Sequence, residues 1–310
     1  MEPPPFTKET VVKGQPTRIT CLEVDGQIYT LMRTSGVRVA RLEDEDFDDV
    51  RDPYAVITAL RAHADLFTFW QRIPDTEPHF PYHVEFDTVA VLPLTTYDAW
   101  WSTLKPQARN MIRKGPKKGV VVRESAFDEA FVRGVTDLFN ETPVRQGRRF
   151  WHYGKDEAMV REQFSRFLFR ETMLGAYVPE RVFGREVGDM LLGFIMLADA
   201  GRYSVLGQIL SRMDARELSP TNALLAKAVE LATKRGHAYL QYAYWDEGTS
   251  LTAFKRQNGF QPMRLPRYYV PLTPAGRLAM TLGLHHSVKA MITPAVKERL
   301  MRVRTWWLAR

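Results

Sequence analysis

Apolar and polar residues alternate with different periods along this chain, and each change of period marks the boundary of a predicted element. In the last third, Leu224, Ala228 and Leu231 recur at the spacing of one helix face. Gly236 follows as a C′ residue, the position at which glycine commonly ends a helix. Residues 238–245 then alternate with period two and are rich in aromatic side chains, which predicts a strand.

The same patterns divide the rest of the chain into interspersed helices and strands. The predicted strands are residues 17–24, 27–33, 36–42, 66–70, 82–94, 119–124, 176–181, 190–198, 203–210, 238–245 and 261–272. The predicted helices are residues 53–63, 97–104, 106–114, 127–140, 156–169, 220–235 and 250–258. From residue 119 onward the order is strand, two helices, three strands in a meander, helix, strand, helix and strand. The predicted fold class is therefore α+β, a mixed α/β chain.

Composition and charge narrow the function classes without choosing one. With 310 residues the chain can form one large or two ordinary domains, and 45% of its residues are hydrophobic, as in soluble globular proteins. The formal net charge is +7. This charge permits a polyanionic partner such as RNA, a nucleotide or an anionic lipid, but a protein that is merely basic would carry it too.

The cellular location is inferred from cysteine usage and from the absence of targeting patterns. Cys21 is the single cysteine, so no internal disulfide can form and a reducing compartment is expected. Residues 1–5 have neither the basic region nor the apolar core of a signal peptide. No apolar run reaches the roughly 20 residues that a membrane helix needs. We therefore expect a cytoplasmic protein, with peripheral contact at the inner face of the membrane as a further option.

A basic segment at residues 105–118 is the first candidate binding site. It contains six basic residues and no acidic one. Arg109 and Arg113 are i,i+4 neighbours on one helix face, and Lys114 lies beside them. Such a cluster suits the phosphates of a tRNA or a nucleotide-linked substrate. It is equally a pattern that a solvated basic face would show.

Residues 141–153 form a predicted loop between two helices, with three arginines among aromatic residues. Arg145 in this loop is a candidate substrate contact, although an ordinary exposed loop would read the same way. Gln208, near the end of the third meander strand, is a further candidate contact. His152 has no cysteine or second histidine near it in sequence, so we predict no metal site there or elsewhere.

The segment after Gly236 carries a resemblance to a known family. The strand is followed by Ser250-Leu251-x-x-Phe254-Lys255-Arg256-x-x-Gly259-Phe260. This order resembles the last third of Fem-type peptidyltransferases, which are GNAT-fold enzymes that use aminoacyl-tRNA to build peptidoglycan cross-bridges. Residues 100–124, a basic helix that runs into a Gly-Val-Val-Val strand, resemble the same family. Together these segments cover less than half of the chain.

The resemblance implies two tandem GNAT-like modules with a C-terminal helical segment. Residues 1–118 would be a degenerate N-terminal module with a basic connecting helix, and residues 119–272 would be the acyltransferase module. Residues 273–310 would be basic amphipathic helices. These helices could lie on an anionic membrane or pack back on the first module.

The resemblance also implies acyl transfer from an activated ester to an amine. In the family, the lysine of the Phe-Lys helix is assigned to the charge of the transition state, and it maps onto Lys255. Without the resemblance, Lys255 would only complement the C-terminal end of its helix dipole. Tyr242 is the second candidate catalytic residue, and the candidate general bases, chosen by position, are Tyr242, Asp246 and Glu247. Phe254 and Arg256 are candidate substrate contacts beside Lys255.

The donor is inferred from a missing turn. GNAT enzymes bind the pyrophosphate of coenzyme A with a glycine-rich turn before the helix that follows the meander. No glycine lies between Gly207 and Gly236 here, and Pro220 removes an amide donor. We therefore expect no tightly bound cofactor. The resemblance implies an aminoacyl-tRNA donor, with acyl-coenzyme A as the alternative.

A third hypothesis is a non-catalytic GNAT-fold binding module at a membrane surface.

The chain departs from the family pattern in one strand. Gln241, Tyr242 and Ala243 stand where family members often have an acidic residue and a glycine. This difference leaves the substrate open.

Overall fold

The computed structural model describes residues 4–12, 15–34, 36–145, 147–166, 168–182 and 185–286. The strands of the described residues are β1 (Phe6–Val12), β2 (Gln15–Val24), β3 (Gln27–Thr34), β4 (Val37–Leu42), β5 (Leu66–Trp70), β6 (His83–Pro93), β7 (Val121–Ser125), β8 (Val144–Arg145), β9 (Arg148–Arg149), β10 (Glu171–Val182), β11 (Arg185–Asp199), β12 (Tyr203–Ser211), β13 (Tyr239–Tyr244) and β14 (Gln261–Pro271). The α-helices of the same residues are α1 (Pro53–Leu60), α2 (Tyr97–Thr103), α3 (Pro106–Lys117), α4 (Glu129–Asn140), α5 (Glu157–Ser165), α6 (Pro220–Lys234), α7 (Ser250–Gln257) and α8 (Pro274–Thr281).

The chain divides into two compact units. Unit 1 is formed mainly by Thr17–Phe86 and by the described residues from Pro266 onward, and unit 2 mainly by Asp87–Leu265. The strands β6 and β14 each contribute residues to both units. The module boundaries predicted at residues 118 and 272 concern GNAT modules and stay a prediction.

Unit 1 is built on strands in the order β1-β2-β3-β4-β5-β14. The hairpin between β2 and β3 turns at Asp25-Gly26, which have φ angles of 50° and 71°. Positive φ at both central residues is the requirement of a type I′ turn, and the Asp-Gly pair meets it. Behind this meander, α1 packs an apolar face that includes Val56, Ile57 and Leu60 into the core of the unit.

Unit 2 is a sheet in the order β6-β13-β12-β11-β10-β7 with helices on both faces. One face shares a core with α2, α3 and α6, and the other with α4 and α5. The apolar face predicted for α6 is buried, since Leu224, Leu225, Ala228 and Val229 have no exposed surface. The element order from β7 to β14 is the predicted GNAT order.

The helix α3 differs from its prediction, which ended it at a break formed by Gly115-Pro116. It continues to Lys117 with Pro116 inside its last turn. So near the C-terminal end, a proline removes only one helical hydrogen bond. Gly115 also faces α6, where an added methyl group would lie 3.2 Å from Cβ of Ala223. The glycine therefore allows close packing of two helices and does not end the first.

The start of α6 also differs from the expected capped turn. Ser219 occupies the N-cap position, but its side chain makes no capping hydrogen bond and its φ is 55°. Its hydroxyl instead accepts a hydrogen bond from the side-chain amide of Asn222 at 3.0 Å. Pro220 stands at the first helical position, as predicted.

The structure differs from the prediction in two further places. The strand β10 begins at Glu171, five residues before the predicted strand, and the hairpin β8–β9 lies in the predicted loop.

Of the predicted C-terminal segment 273–310, α8 is described, and residues 287–310 lie outside the described residues. Within the described ranges, no helix combines the length and the apolar character needed to cross a membrane.

Candidate active site

A split between two parallel strands opens the candidate site in unit 2. The strands β12 and β13 pair only over Tyr203–Val205 of β12, with Val205 opposite Gln241 as the last pair. Beyond that point β12 continues to Ser211 without a β13 partner among the described residues. Unpaired strand edges expose N–H and C=O groups. The split therefore leaves an opening along β12 beyond Val205.

A cleft of about 300 Å³ occupies this opening. Its apolar walls include Ile209 and Leu210 of β12, Tyr242 of β13, and Leu251 and Phe254 of α7. Its polar lining is Arg145, Ser211, Arg212, Arg216, Thr221 and Ser250. A volume near 300 Å³ is at the small end of ligand sites, so the cleft suits a small ligand or one group of a larger ligand.

A bulge in β13 aims Tyr242 into this cleft. Gln241 pairs with Val91 of β6 and Tyr244 with Val89, so β13 has one extra residue between these pairs. Ala243 at the bulge has a φ of 47°, a conformation that costs most residues about 1–2 kcal/mol. The sequence prediction of a regular alternation through this strand is wrong here, because the bulge reverses the faces after Tyr242.

Lys255 fastens the bulge to α7. Its side chain is fully buried, and Nζ donates a hydrogen bond of 2.7 Å to the carbonyl oxygen of Tyr244. The same ammonium lies 4.5 Å from the ring centroid of Tyr242, within the range of a cation–π contact. Burial lowers the pKa of Lys255 to about 8, although the charge of Asp246 opposes part of this effect.

Tyr242 is buried, and its burial raises the pKa of the phenol. The phenol therefore stays protonated at neutral pH and suits a hydrogen-bond donor better than a general base. The other positional candidates lie outside the cleft. Glu247 accepts hydrogen bonds from Trp245 and pairs with Arg256 at 2.8 Å, and these contacts lower its pKa.

Arg145 and Glu141 hold the loop after α4 against the end of β12. Nη2 of Arg145 lies 2.7 Å from a carboxylate oxygen of Glu141, and both side chains are nearly buried. Nη1 of Arg145 donates to the carbonyl oxygen of Ser211 at 2.9 Å. Glu141 accepts hydrogen bonds from the backbone amides of Met213 and Asp214. Arg145 therefore lines the cleft as part of a fixed framework.

Two further arginines give the mouth of the cleft a positive character. Arg212 forms a two-point contact with Asp214, at 2.7 and 2.9 Å. Arg216 is exposed, and its guanidinium lies 3.0 Å from the sulfur of Met213.

A carboxyl group approaches the split from the face of the sheet that packs on α4 and α5. β12 has an extra residue at Gly207, between the pairs Leu206–Leu197 and Gln208–Met196. A methyl group placed on Gly207 would lie 3.6 Å from Oε1 of Glu171. The Glu171 carboxyl therefore sits beside the bulge where β12 begins to separate from β13.

Glu171 and Gln241 present two buried acceptors on this face. Oε2 of Glu171 and Oε1 of Gln241 are buried and have no hydrogen-bond partner among the described residues. The two residues lie in one cross-strand row through Ala198 and Val205, so their side chains project from the same face of the sheet. Burial raises the pKa of Glu171 to about 7, opposed in part by the charge of Arg170.

Gln208, a predicted substrate contact, lies in a buried network outside the cleft. Its Nε2 is 3.2 Å from Nε2 of His152, whose ring stacks on Phe139. Nδ1 of His152 is 3.4 Å from Nζ of Lys155, which also contacts Gln163. Burial, together with Lys155 and Arg145, lowers the pKa of His152 to about 3, so this histidine is neutral at physiological pH.

The predicted basic cluster of α3 does not line the cleft. Arg113 lies over the ring of Trp101, and Lys114 pairs with Glu217 at 3.2 Å. Arg109 is half-buried on the same helix. Of the nine predicted site residues, Arg145, Tyr242 and Phe254 line the cleft, and Lys255 contacts it through Tyr242.

Solved structures share the fold of this chain at low sequence identity. FemX matches with a TM-score of 0.54 and 12% identity, over 88% of this chain and 90% of its own. The fold is that of FemX. A C-terminal domain (DUF2156) of a putative lysylphosphatidylglycerol synthetase from Agrobacterium fabrum matches with a TM-score of 0.53 and 11% identity, over 85% and 87% of the two chains. The L-PGS of Bacillus licheniformis matches with a TM-score of 0.53 and 11% identity, over 84% and 85%.

These matches confirm the predicted Fem-like GNAT fold and the mixed α/β class. No protein-family model matches this chain, and no curated protein matches its sequence.

The sequence analysis did not identify Glu171 as a candidate functional residue. Glu171 and Thr172, the polar first residues of β10, do not indicate a strand in the sequence. A carboxylate at a position inside a sheet interrupts the apolar pattern that predicts a buried strand.

Proposed function

We propose that this protein is an acyltransferase that moves an aminoacyl or other acyl group from an activated ester to an amine. The observation that supports the proposal is the split of β12 from β13, with a cleft lined by Tyr242 on one side and the Glu171 carboxyl beside Gly207 of β12. The FemX-like fold supports the same class of reaction. The non-catalytic binding module is less well supported, because a surface adaptor has no need of a buried carboxyl whose pKa is about 7.

In this proposal the donor lies in the cleft. The acyl group packs against Tyr242 and Phe254, and an adjoining phosphate pairs with Arg216 at the mouth. A nucleotide-linked donor such as aminoacyl-tRNA fits this arrangement. Acyl-coenzyme A fits less well, because Pro220 lacks an amide and Ser219 stands where a glycine-rich turn would bind pyrophosphate.

Glu171 acts as the general base for the acceptor amine. A carboxyl group with a pKa of about 7 is half ionised near neutral pH, which is the condition for effective proton transfer. The amine nitrogen attacks the ester carbonyl, a C–N bond forms, and Glu171 takes the proton that the nitrogen loses. The C–O bond to the donor then breaks, and its alkoxide receives the proton from Glu171, which returns to the carboxylate form. Gln241 offers a second acceptor to the amine from the same face.

Tyr242 and the open edge of β12 stabilise the oxyanion. The phenol of Tyr242 stays protonated and can donate a hydrogen bond to the developing charge. Lys255 carries its positive charge against the ring of Tyr242 and holds the bulge in place. In this role Lys255 is a positioning residue, and its charge strengthens the phenol as a donor.

The test is loss of the ester bond from a mixed aminoacyl-tRNA pool in the presence of an amine acceptor, with acyl-coenzyme A assayed in parallel. Mass spectrometry of molecules that copurify with the protein would guide the choice of acceptor. Tyr242→Phe should lower turnover by about 100-fold, the usual effect of losing one oxyanion donor. Tyr244→Phe, two residues away and exposed, is the matched control.

Glu171→Gln supplies the second arm of the test. In the unchanged protein, kcat/KM should fall about tenfold per pH unit below pH 7, because protonated Glu171 cannot accept a proton. Glu171→Gln should be slow at every pH and should lack this acid limb, whereas Glu162→Gln on the exposed face of α5 should keep it. Turnover of neither donor, or an unchanged acid limb in Glu171→Gln, would refute the assignment.

A lipid acceptor is the second candidate. The fold is shared with a domain of a protein that is named for lysylphosphatidylglycerol, a phospholipid that carries lysine. Replacing the amine acceptor by vesicles that contain phosphatidylglycerol would show whether a hydroxyl group of a lipid is the preferred acceptor.

A further inference from the structure

Unit 1 contains a cluster of metal-ligating side chains far from the cleft residues in sequence. His83 and Glu85 lie at the start of β6, and His285 and His286 follow α8. The ligand atoms of His83, Glu85 and His285 all lie within 4.8 Å of one another. About 200 residues separate the two halves of the cluster, so no spacing motif in the sequence could have indicated it.

The contacts converge on one carboxylate oxygen. Oε1 of Glu85 lies 2.9 Å from Nε2 of His285, 3.3 Å from Nε2 of His83 and 3.3 Å from Nε2 of His286. One carboxylate oxygen offers about two lone pairs, so it cannot accept three good hydrogen bonds at once. Two imidazole nitrogens and one carboxylate oxygen within 4.8 Å of one another match the donor set of a metal ion, and His286 adds a third imidazole beside Glu85.

Local structure fixes these side chains in place. His83 and Glu85 are two residues apart on one strand, so they project from the same face. The side chain of His285 is 6% exposed, and its ring packs 4.8 Å from the ring of Tyr269. The rings of His83 and His286 also lie near Tyr269, at 6.3 and 6.2 Å. His83 keeps about half of its side chain exposed, at 51%, which leaves a path for an ion from solvent.

We propose that His83, Glu85, His285 and His286 bind a transition-metal dication of the zinc class. Three nitrogen donors and one oxygen donor suit Zn²⁺, Co²⁺ or Ni²⁺, whereas Mg²⁺ and Ca²⁺ prefer sets of oxygen ligands. The ion would join the start of β6 to the chain that follows α8. This site is independent of the acyltransferase proposal, since none of its residues lies in the cleft.

The experiment uses the full chain after treatment with a chelator. Titration with Zn²⁺ alone, followed by calorimetry, should show one equivalent bound, and Mg²⁺ at the same concentration should not bind. His83→Ala and Glu85→Gln should each weaken zinc binding by at least about tenfold, because loss of even a supporting group commonly costs 10–100-fold. Both residues are partly exposed, so these variants should fold, and circular dichroism checks this.

The matched control is His63→Ala, which removes a histidine of unit 1 outside the cluster. It should bind zinc as the unchanged protein does. Co²⁺ provides a second readout, since a site with these four ligands gives the visible absorption of tetrahedral cobalt, and His83→Ala should lose it. Absence of zinc binding, or equal binding by the unchanged protein and both cluster variants, would overturn the proposal.

Discussion

Replacing Lys255 by methionine tests whether burial of its charge lowers the free energy of unfolding. The ammonium is fully buried, and burial lowers its pKa from 10.5 to about 8. Because the unfolded chain then binds a proton more tightly than the folded one, the free energy of unfolding must rise with pH between about 8 and 10.5. Methionine has a similar length and no charge, so this contribution disappears in the variant.

The size of the effect follows from the two pKa values. At pH 7 the lowered pKa costs the folded protein about 3 kcal/mol, since each tenfold change in proton affinity is worth about 1.4 kcal/mol. At pH 9.5 the same two values leave a cost of about 1 kcal/mol. The stability of the unchanged protein should therefore gain about 2 kcal/mol over Lys255→Met between these two pH values.

Urea unfolding followed by tryptophan fluorescence, at pH 7 and pH 9.5, measures this difference. Methionine also loses the hydrogen bond to Tyr244, but that loss is nearly independent of pH and cancels in the comparison. Lys118→Met, which replaces an exposed lysine of the same unit, is the control and should follow the unchanged protein at both pH values.

A response of Lys255→Met to pH equal to that of Lys118→Met would contradict the lowered pKa of Lys255. Equal responses would mean that the ammonium is solvated in the folded protein and that the pKa of Lys255 is not lowered. Turnover gives a separate reading of the same variant. A loss of about two orders of magnitude in turnover, with substrate affinity unchanged, supports a role in the transition state.

Two further predictions concern the frame of the cleft. Ala243→Gly should raise the free energy of unfolding by about 1 kcal/mol, since glycine adopts a φ of 47° without strain; a drop in stability would contradict the bulge geometry. Glu141→Gln should lower stability by about 1–3 kcal/mol in urea unfolding, because it removes the charge that pairs with buried Arg145. Glu162→Gln is its exposed control, and equal stability of the two variants would show that the pair contributes nothing.

The sequence predicted the regular elements well, because their patterns are local. The strand β5 begins and ends at the predicted residues, Leu66 and Trp70, since five buried residues lie between clear breaks. The helix α6 runs from Pro220 as predicted, because its apolar face and its final glycine agree. Such elements depend on periodicity, and periodicity can be read from one sequence.

The irregular positions could not be predicted, and the candidate site consists largely of them. Ala243 has a positive φ that its side chain does not favour, so no local preference indicates the bulge. Glu171 becomes relevant only because β10, β11 and β12 bring it beside Gly207. The basic residues of α3 were visible in sequence, but tertiary packing directs Arg113 onto Trp101. Local rules commonly fail at the positions where function overrides them.

The short pairing of β12 with β13 makes unit 2 a sheet that lacks part of a strand. A bound donor with an extended polar backbone could complete the sheet, since β12 has no β13 partner beyond Val205 among the described residues. Affinity would then come from main-chain hydrogen bonds, and selectivity from the side chains opposite, such as Phe254. Changes on α7 could therefore redirect the protein to new donors while the edge that holds them stays the same.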